Sequence, residues 1–512
     1  MTNGMTPRET ELLARADAFI QENWEDIVAE IGKLVAIPSV VDYDRATPLD
    51  PNGPEAHDGL RAGVDLAQRL GFDAADLEGQ IGIADLKGTS DTQIGMICHT
   101  DVVAPGVGWT VSPWEMQRRD GYLLGRGVID DKGPLVISLY CMKFFAEASR
   151  SAGTPLPYTL RMLIGTNEEV GMDDVAWYLD RYEAPAFLFT SDADFPICYG
   201  EKGSFHGEFT SAPLTGNIVD FTTRDSATNA VPSRAWLTVT VPGAAGADGA
   251  ASSDSASAGA ADAVGAADAA ARFAASLPAA DGIKITPVQD GTVQLVATGV
   301  GGHASLPEGT RSAIGMLIDY GLVNGLFSPS EQDFLVMAKR IIAAPDGSAI
   351  NLATCDDAFG PLTIVAGTIH KVADRLTLSV DSRYPTSITC QELLERMQSL
   401  AADVQATFET SLLMDPFLVD PEGPIITTLL AAYHDATGFD GEAFTIGGGT
   451  YARKFPCASS FGPVDPHEET PDWVGPMHGA DEGVSEECLK RAMRVYILAI
   501  ARLLEMDLAT LK

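Results

Sequence analysis

The chain has 512 residues, which is too long for one ordinary hydrophobic core, so two or more domains are expected. Its apolar content of 46% and charged content of 21% are typical of a folded globular protein and exclude disorder for the chain as a whole. The formal net charge of -37 repels nucleic acid and anionic membranes, so neither is expected as a partner.

The N-terminal segment and the cysteines bear on the compartment. The first residues carry no cationic flank followed by an apolar stretch, so no secretory signal is expected. No apolar run approaches the ~20 residues that span a bilayer. The seven cysteines are odd in number and scattered, which argues against a disulfide framework and favours small core residues. The sequence therefore predicts a cytoplasmic protein without disulfides.

The first 200 residues alternate between helical and strand-like patterns. Apolar residues at three- and four-residue steps predict helices, and short continuous apolar runs predict buried strands. In chain order the predicted elements are helices at 12–34 and 60–70, strands at 81–86 and 92–99, a helix at 135–148, and strands at 158–169 and 186–192. This order is typical of an α/β/α sandwich whose site residues lie at strand ends.

Near residue 203 the pattern changes. Four segments up to residue 385 alternate apolar and polar residues, as strands with one solvent-exposed face do. An Ala/Gly-rich stretch at about 243–280 predicts a loop in its first half and a helix in its second, and it is interpreted as a tolerated surface insertion. Helical patterns return after residue 416. The sequence thus predicts a catalytic domain at 1–203 and 416–512, split by an inserted α+β domain at 204–415.

Four of the strand-like segments are followed by residues that bind hard metal ions. His99 and Asp101 end one strand, two residues apart, so that a carboxylate can orient a metal-bound imidazole. Asp130 lies in a Gly-rich turn, the Glu168-Glu169 pair follows the next strand, and Asp192 follows another.

Each of these motifs has a structural alternative. A strand-end histidine alone is more often structural, Asp130 or Asp131 could cap the following helix, and the glutamate pair could lie in a solvated turn. Their recurrence after four successive segments favours a metal site, and ligands of this kind without thiolates suit zinc, cobalt or manganese.

Together these blocks resemble the aminoacylase, carnosinase and carboxypeptidase G family of metallopeptidases, and their order is similar to that of PepV-type dipeptidases. The resemblance runs from about residue 31 to residue 501 and breaks down mainly at the Ala-rich insertion. The matching blocks are HTDVVAPGVGWTVSPW, GRGVIDDKGP, GTNEEVG, SDADFPICYGEKG, GGGTYARKFP and MHGADE.

The resemblance implies a zinc-peptidase-like catalytic domain with two metal ions. Asp130 would bridge the ions, with a cis peptide bond to Asp131. One ion would also be held by His99 and Asp192, and the other by Glu169 and His478. Two cations lower the pKa of a bridging water toward ~7 and polarise the scissile carbonyl.

Three further residues would act on the water, the imidazole and the developing charge. Glu168 would be the general base that moves the proton of the water to the leaving amine. Asp101 would orient the metal-bound imidazole, and His303 in the inserted domain would stabilise the oxyanion.

The same resemblance implies substrate contacts. Asn229 and Arg383 match positions of the inserted domain that hold a substrate carboxylate, and an arginine fork suits that task. Arg383 could instead be a surface charge. Gly448, Gly449 and Thr450 would contact the substrate through backbone that approaches an anionic group closely, although a plain tight turn remains open.

The length of the inserted domain bears on the substrate. It spans 212 residues (415 minus 204 plus 1), longer than in dimeric relatives, which predicts a monomer that uses its own His303, with a homodimer as the alternative. An inserted domain that covers both ends of the substrate would limit the length of the substrate, which points to dipeptides. The alternatives are an N-acyl-amino-acid deacylase or desuccinylase with the same metals, and a binding protein without catalysis. Asp194 could attract a free amine.

Overall fold

The computed structural model divides into two compact units, and the first of them consists of two stretches of chain. The units are Met1–Glu201 with Leu418–Lys512, and Lys202–Phe417. The structure describes residues 4–224, 226–241, 258–288 and 291–508. The first half of the Ala/Gly-rich stretch, predicted as a loop, lies outside the described residues.

The first stretch of unit 1 alternates helices and strands. Its elements are α1 (Pro7–Val35), α2 (Pro54–Arg69), β1 (Asp73–Leu77), β2 (Ile81–Leu86), β3 (Ser90–His99), β4 (Gln117–Arg119), β5 (Tyr122–Leu124), α3 (Lys132–Ala152), β6 (Tyr158–Gly165), α4 (Asp173–Leu179), β7 (Phe187–Thr190), β8 (Ala193–Asp194) and β9 (Cys198–Glu201). Short 3-10 helices lie at Tyr43–Arg45 and Glu168–Val170.

Unit 2 is built mainly of strands. Its elements are β10 (Gly203–Thr210), β11 (Ile218–Thr222), β12 (Ala230–Val231), β13 (Arg234–Thr240), α5 (Ala258–Ser276), β14 (Ile283–Pro287), β15 (Thr292–Thr298), β16 (Gly302–His303), α6 (Ala313–Val323), α7 (Pro329–Ala343), β17 (Cys355–Asp356), β18 (Gly360–Pro361), β19 (Thr363–Val365), β20 (Ile369–Val372), β21 (Arg375–Tyr384), α8 (Cys390–Asp403) and β22 (Thr407–Met414). A 3-10 helix lies at Ser348–Ile350.

The chain then returns to unit 1. The remaining elements are β23 (Phe417–Leu418), α9 (Pro424–Thr437), β24 (Phe444–Ile446), β25 (Ala458–Ser460), β26 (Pro463–Val464), β27 (Gly483–Ser485) and α10 (Glu486–Glu505). A 3-10 helix lies at Tyr451–Lys454.

A mixed sheet forms the centre of unit 1. Its strand order is β1-β2-β6-β3-β7-β25-β9-β23, with β24 beside β9. Strands β6, β3, β7 and β25 are mutually parallel, whereas β2 is antiparallel to β6. The second halves of β3 and β6 are buried at every position, as expected for strands covered on both faces. The predicted α/β architecture is therefore confirmed.

Unit 2 has an antiparallel sheet with its own core. The strand order is β14-β15-β13-β11-β20-β21-β10-β22, with β19 beside β21. Along β13 buried residues alternate with more exposed ones, which confirms the period-two prediction. Helix α6 packs on β13 and β15. The predicted helix in the second half of the Ala-rich stretch is also confirmed, as α5.

One expectation about single residues, that the cysteines lie in the core, needs correction. Lys132, which follows Asp131, is fully buried, and its ammonium donates to the Ile37 carbonyl at 2.7 Å. The seven cysteines are free, but Cys355 is exposed rather than part of a core. No described helix is both long enough and apolar enough to cross a bilayer.

Candidate metal centre

Three neighbouring parallel strands bring the first set of candidate ligands together. His99 is the last residue of β3, Glu168 follows β6, and Asp192 follows β7, and these strands lie side by side in the order β6-β3-β7. Because the carboxyl ends of parallel strands meet at one edge of a sheet, their ligand atoms lie within 4.8 Å of one another. We call His99, Glu168 and Asp192 the first ligand group.

A second set comes from turns rather than strand ends. Asp130 lies between β5 and α3, Glu169 follows Glu168, and His478 precedes β27. His478 Nε2 is 2.8 Å from Asp130 Oδ2 and 3.1 Å from Glu169 Oε2. We call Asp130, Glu169 and His478 the second ligand group.

Asp130 stands between the two groups. Its Oδ1 is 3.0 Å from His99 Nε2, and its Oδ2 faces His478. The peptide bond from Asp130 to Asp131 is cis, as expected. One oxygen toward each group is what a carboxylate shared by two ions needs, although the bridging role itself stays a prediction.

Asp101 holds two members of the site. The Nδ1 of His99 lies 2.9 Å from the main-chain oxygen of Asp101 and 3.4 Å from its Oδ1, so the main chain is the nearer partner. The other carboxylate oxygen, Oδ2, accepts a hydrogen bond from the Glu169 N–H at 3.1 Å. Asp101 therefore fixes both the imidazole plane and the backbone of the glutamate turn.

Asp131 does not act as the helix cap that the sequence left open. It occupies the N-cap position of α3, but its side chain makes no capping hydrogen bond. Its Oδ2 instead accepts from the His99 N–H at 3.1 Å. This second aspartate supports the strand that carries His99.

Buried negative charge dominates the electrostatics. Burial raises the pKa of Glu168 well above its usual value, and the charge of Asp192 raises it further. Burial together with Asp130 raises the pKa of Glu169 to about 7. Burial alone would lower the pKa of His99, but the surrounding carboxylates outweigh it and raise that pKa well above normal. The cluster therefore requires protons or cations for balance.

The residues fit a pair of divalent ions. Within the described residues, Glu168 Oε1 is buried without a hydrogen-bond partner, and the buried His99 Nε2 has only ion-pair contacts with Asp130 and Asp192. A buried polar atom of this kind is costly unless something coordinates it. Imidazole and carboxylate donors without thiolates suit zinc, cobalt or manganese. The geometry alone would also permit Glu168 as a ligand, so its role as a base stays a prediction.

The Gly448-Gly449-Thr450 segment of unit 1 is held in place by hydrogen bonds to Glu201. Thr450 donates to Glu201 through its hydroxyl (2.7 Å) and its N–H (3.1 Å). A Cβ on Gly449 would lie 2.3 Å from Nη1 of Arg453, so any larger residue there would require the Arg453 side chain to shift. The Thr450 hydroxyl is thus already engaged, and the expected substrate contacts of these three residues stay predictions.

In unit 2 the structure brings Asn229 and His303 side by side. Strands β12 and β16 pair, and the Ala304 N–H donates to the Asn229 carbonyl at 2.9 Å. The exposed His303 ring lies 2.7 Å from the Ser305 hydroxyl through Nδ1. Their roles toward a substrate stay predictions.

Arg383 is buried in unit 2 and is not a surface charge. Its Nε and Nη2 donate to Asp381 at 2.9 and 3.1 Å, and its Nη1 donates to Ser204 at 2.8 Å. His206 also contacts this carboxylate, with its Nε2 2.7 Å from Asp381 Oδ2. The fork assigned to a substrate carboxylate therefore already has an internal partner.

Comparison with known proteins agrees with this chemistry. A family model for peptidases M20/M25/M40 matches residues 95–235, which include His99, Asp130, Glu168, Glu169 and Asp192. The chain is a metallopeptidase, and it is similar to this family over those residues.

Two curated relatives match the metallopeptidase over nearly its whole length. It is 27% identical over 486 residues to a putative dipeptidase, YtjP, of Bacillus subtilis (strain 168), covering 94% of this chain and 97% of that relative. It is 28% identical over 489 residues to a Beta-Ala-Xaa dipeptidase of Lactobacillus delbrueckii subsp. lactis, covering 93% and 96%.

Solved structures support the fold of the metallopeptidase. Human carnosine dipeptidase 1 matches with a TM-score of 0.55 at 14% identity, covering 96% of this chain and 100% of that one. The dipeptidase Dug1p of Saccharomyces cerevisiae matches with a TM-score of 0.58 at 13% identity, covering 97% and 99%.

Sequence reasoning missed the residues that support the ligands. Tyr451 donates to Asp174 Oδ2 at 2.5 Å and accepts from the Asn167 N–H at 3.3 Å, directly before the glutamate pair. Its ring meets the His99 ring edge-on, with centroids 6.2 Å apart. Burial raises the pKa of Asp174 to about 7, with the Tyr451 hydroxyl opposing the rise. The position of Tyr451 directly after the GGGT segment was the available signal.

Proposed function

We propose that this metallopeptidase hydrolyses dipeptides with a free amino group and a free carboxylate, using two divalent ions. The observation that carries the proposal is that His99 of the first ligand group and His478 of the second face different carboxylate oxygens of Asp130. The near full-length similarity to a putative dipeptidase and to a Beta-Ala-Xaa dipeptidase supports dipeptides as the substrate class.

The proposed ligands divide between two ions. His99 and Asp192 would hold one, Glu169 and His478 the other, and Asp130 both. Zinc is the proposed metal, and cobalt and manganese accept the same donors. When bound, the ions would acidify a water molecule and polarise the scissile carbonyl.

Glu168 would move the proton. Its Oε1 is buried and without a hydrogen-bond partner among the described residues, and it faces the site that His99 and Asp192 line. A carboxylate so placed can take the proton of the attacking water and return it to the leaving amine. Asp101 would keep the His99 imidazole in the required orientation.

Residues of unit 2 and of the glycine segment would bind the substrate. His303 would donate a hydrogen bond to the developing oxyanion. Asn229 and Arg383 would bind the carboxylate end, together with the segment at Gly448, Gly449 and Thr450. We propose that the protein acts as a monomer, with each chain supplying its own His303.

The substrate class can be tested with the purified chain, stripped of metal and reloaded with zinc, cobalt or manganese. We expect kcat/KM for Ala-Ala and β-Ala-His to exceed that for N-acetyl-alanine and for trialanine by about a hundredfold, because each polar end that the site is built to bind discriminates strongly. Faster hydrolysis of N-acetyl-alanine would favour the deacylase or desuccinylase alternative. No hydrolysis of any dipeptide with any of the three metals would refute the proposal.

A further inference from the structure

A buried ion pair, Arg126 with Glu482, connects the two turns that carry Asp130 and His478. We propose that this pair is a positioning device for the second ligand group and sets the affinity for the ion bound there. It rests on the two-ion site proposed above. Each partner stands four residues from a ligand, Arg126 before Asp130 and Glu482 after His478.

Glu482 holds the turn of Asp130. Its Oε1 accepts hydrogen bonds from the Gly127 N–H at 2.9 Å and from the Ile129 N–H at 3.4 Å. Ile129 immediately precedes Asp130. The carboxylate therefore fixes the backbone that aims Asp130, although it belongs to the segment of His478.

Arg126 holds the turn of His478 in the same way. Its Nη2 donates to the carbonyls of His478 and Gly479, both at 3.2 Å, while Nη1 donates to Glu482. His478 has a left-handed backbone, with φ of +62°, which a non-glycine residue adopts only where its surroundings hold it. The two side chains thus form a reciprocal brace, in which each one binds the other's turn.

The brace begins where the sheet hydrogen bonds end. Strands β5 and β27 pair antiparallel, with Leu124 opposite Gly483. The Gly125 N–H still donates to the Glu482 carbonyl at 2.9 Å. Toward Asp130 and His478, the chain leaves this small sheet, and the ion pair with its four backbone hydrogen bonds connects the two turns.

Both partners are shielded from water. Arg126 and Glu482 are each 0% exposed, and the guanidinium lies 5.3 Å from the Trp109 ring centroid. Burying two charges is costly unless both are paired and hydrogen-bonded, so a plain packing role would be served as well by apolar side chains. Charged side chains can hydrogen-bond to the backbone of both turns, which apolar side chains cannot do.

The effect should be selective for one ion. His99 and Asp192 follow strands of the large sheet, and neither they nor their neighbours in sequence bond to the ion pair. His478 belongs only to the second ligand group. Asp130 would contribute to both ions, but His478 contributes to the second alone, so loosening the brace should weaken the second ion much more than the ion held by His99 and Asp192.

A second buried ion pair in unit 1 provides a matched control. Arg161 on β6 binds Asp85 on β2 through Nε (2.8 Å) and Nη2 (2.7 Å). Both residues are buried, but the pair contacts no residue of the second ligand group. Asp85→Asn is therefore the control for Glu482→Gln, since each replaces a buried carboxylate by its amide.

The test is a calorimetric titration of metal-free protein with zinc, with the number of ions counted by elemental analysis. The original chain and Asp85→Asn should each bind two ions. Glu482→Gln should bind the first ion within about threefold of the original affinity and the second about 10- to 100-fold more weakly, the range known for groups that orient metal ligands. A titration of His478→Ala gives the reference curve for loss of the second group.

Equal weakening of both ions in Glu482→Gln, or of neither, would overturn the proposal. If Glu482→Gln does not fold, Arg126→Lys, which keeps the cation but loses the fork, should show the same selective loss. If neither variant folds while Asp85→Asn does, the pair serves folding of the unit and the proposal is wrong. Fewer than two ions in the original chain would contradict the proposed two-ion function instead.

Discussion

The two ligand groups of this metallopeptidase are built by different means. The first follows three adjacent strands, whose ladder of main-chain hydrogen bonds fixes where His99, Glu168 and Asp192 stand. The second comes largely from turns, and its His478 has a side chain that is 50% exposed. Where no main-chain hydrogen bonds of a sheet fix the backbone, hydrogen bonds with side chains such as Arg126 and Glu482 can hold it in place.

This difference predicts different responses to substitution. A residue at a strand end is embedded in the unit's core, so its removal should lower both the free energy of unfolding and the affinity for metal. A residue on an exposed turn should affect metal binding with little effect on folding. Substitutions within unit 1 can test this contrast, and their expected effects range from a large loss of kcat to a small loss of stability.

The largest effect is expected for Glu168→Gln. The amide keeps the shape of the side chain but cannot take a proton, so kcat should fall by about 10²- to 10⁴-fold. Because we assign Glu168 to proton transfer rather than to metal binding, both ions should remain. Dipeptide hydrolysis and metal content, measured on the same preparation, check this. A preparation that has lost one ion would show that Glu168 is a ligand, as its position in the first ligand group also permits.

His99→Ala and His478→Ala compare the two groups directly. In metal-free protein, loss of the buried His99 leaves Asp101, Asp130 and Asp192 without their shared cation, so the free energy of unfolding should fall by about 3–5 kcal/mol. Loss of the half-exposed His478 should cost about 1 kcal/mol or less. Urea unfolding in the presence of EDTA measures both. Equal losses would remove the contrast between the groups.

The candidate ligands at the strand ends could be brought together from the sequence because their signal is local. The apolar runs of β3, β6 and β7 are each followed within three residues by an imidazole or a carboxylate, and one pattern shows both the strand and the ligand. The neighbour order β6-β3-β7, which differs from the chain order, has no such local signal. The resemblance to known metallopeptidases supplied His478.

The supporting residues could not be predicted in the same way. Arg126 and Glu482 lie 356 residues apart, and Thr450 and Glu201 lie 249 apart, so nothing near either residue indicates its partner. Burial also cannot be read from residue type alone. Lys132 and Arg126 both look like surface cations in sequence, yet both are fully buried.

The smallest effect concerns a support of the first ligand group. Tyr451→Phe removes the hydroxyl that donates to Asp174 and accepts from Asn167, while it keeps the ring against His99. Asp174 Oδ2 then keeps only the hydrogen bond from the Thr166 N–H, and the buried Asn167 N–H loses its acceptor, so the free energy of unfolding should fall by about 1–3 kcal/mol. Because Asn167 precedes Glu168, kcat should fall as well, with KM little changed.

Tyr496→Phe is the matched control for this variant. Tyr496 is equally buried, but within the described residues its hydroxyl has no hydrogen-bond partner. Removing a buried hydroxyl without a partner should leave stability unchanged or raise it slightly. Urea unfolding and dipeptide kinetics of the two variants, measured side by side, separate the effect of the hydrogen bonds from the loss of an oxygen atom. If both variants lose the same stability and the same kcat, Tyr451 has no special part in holding the glutamate turn.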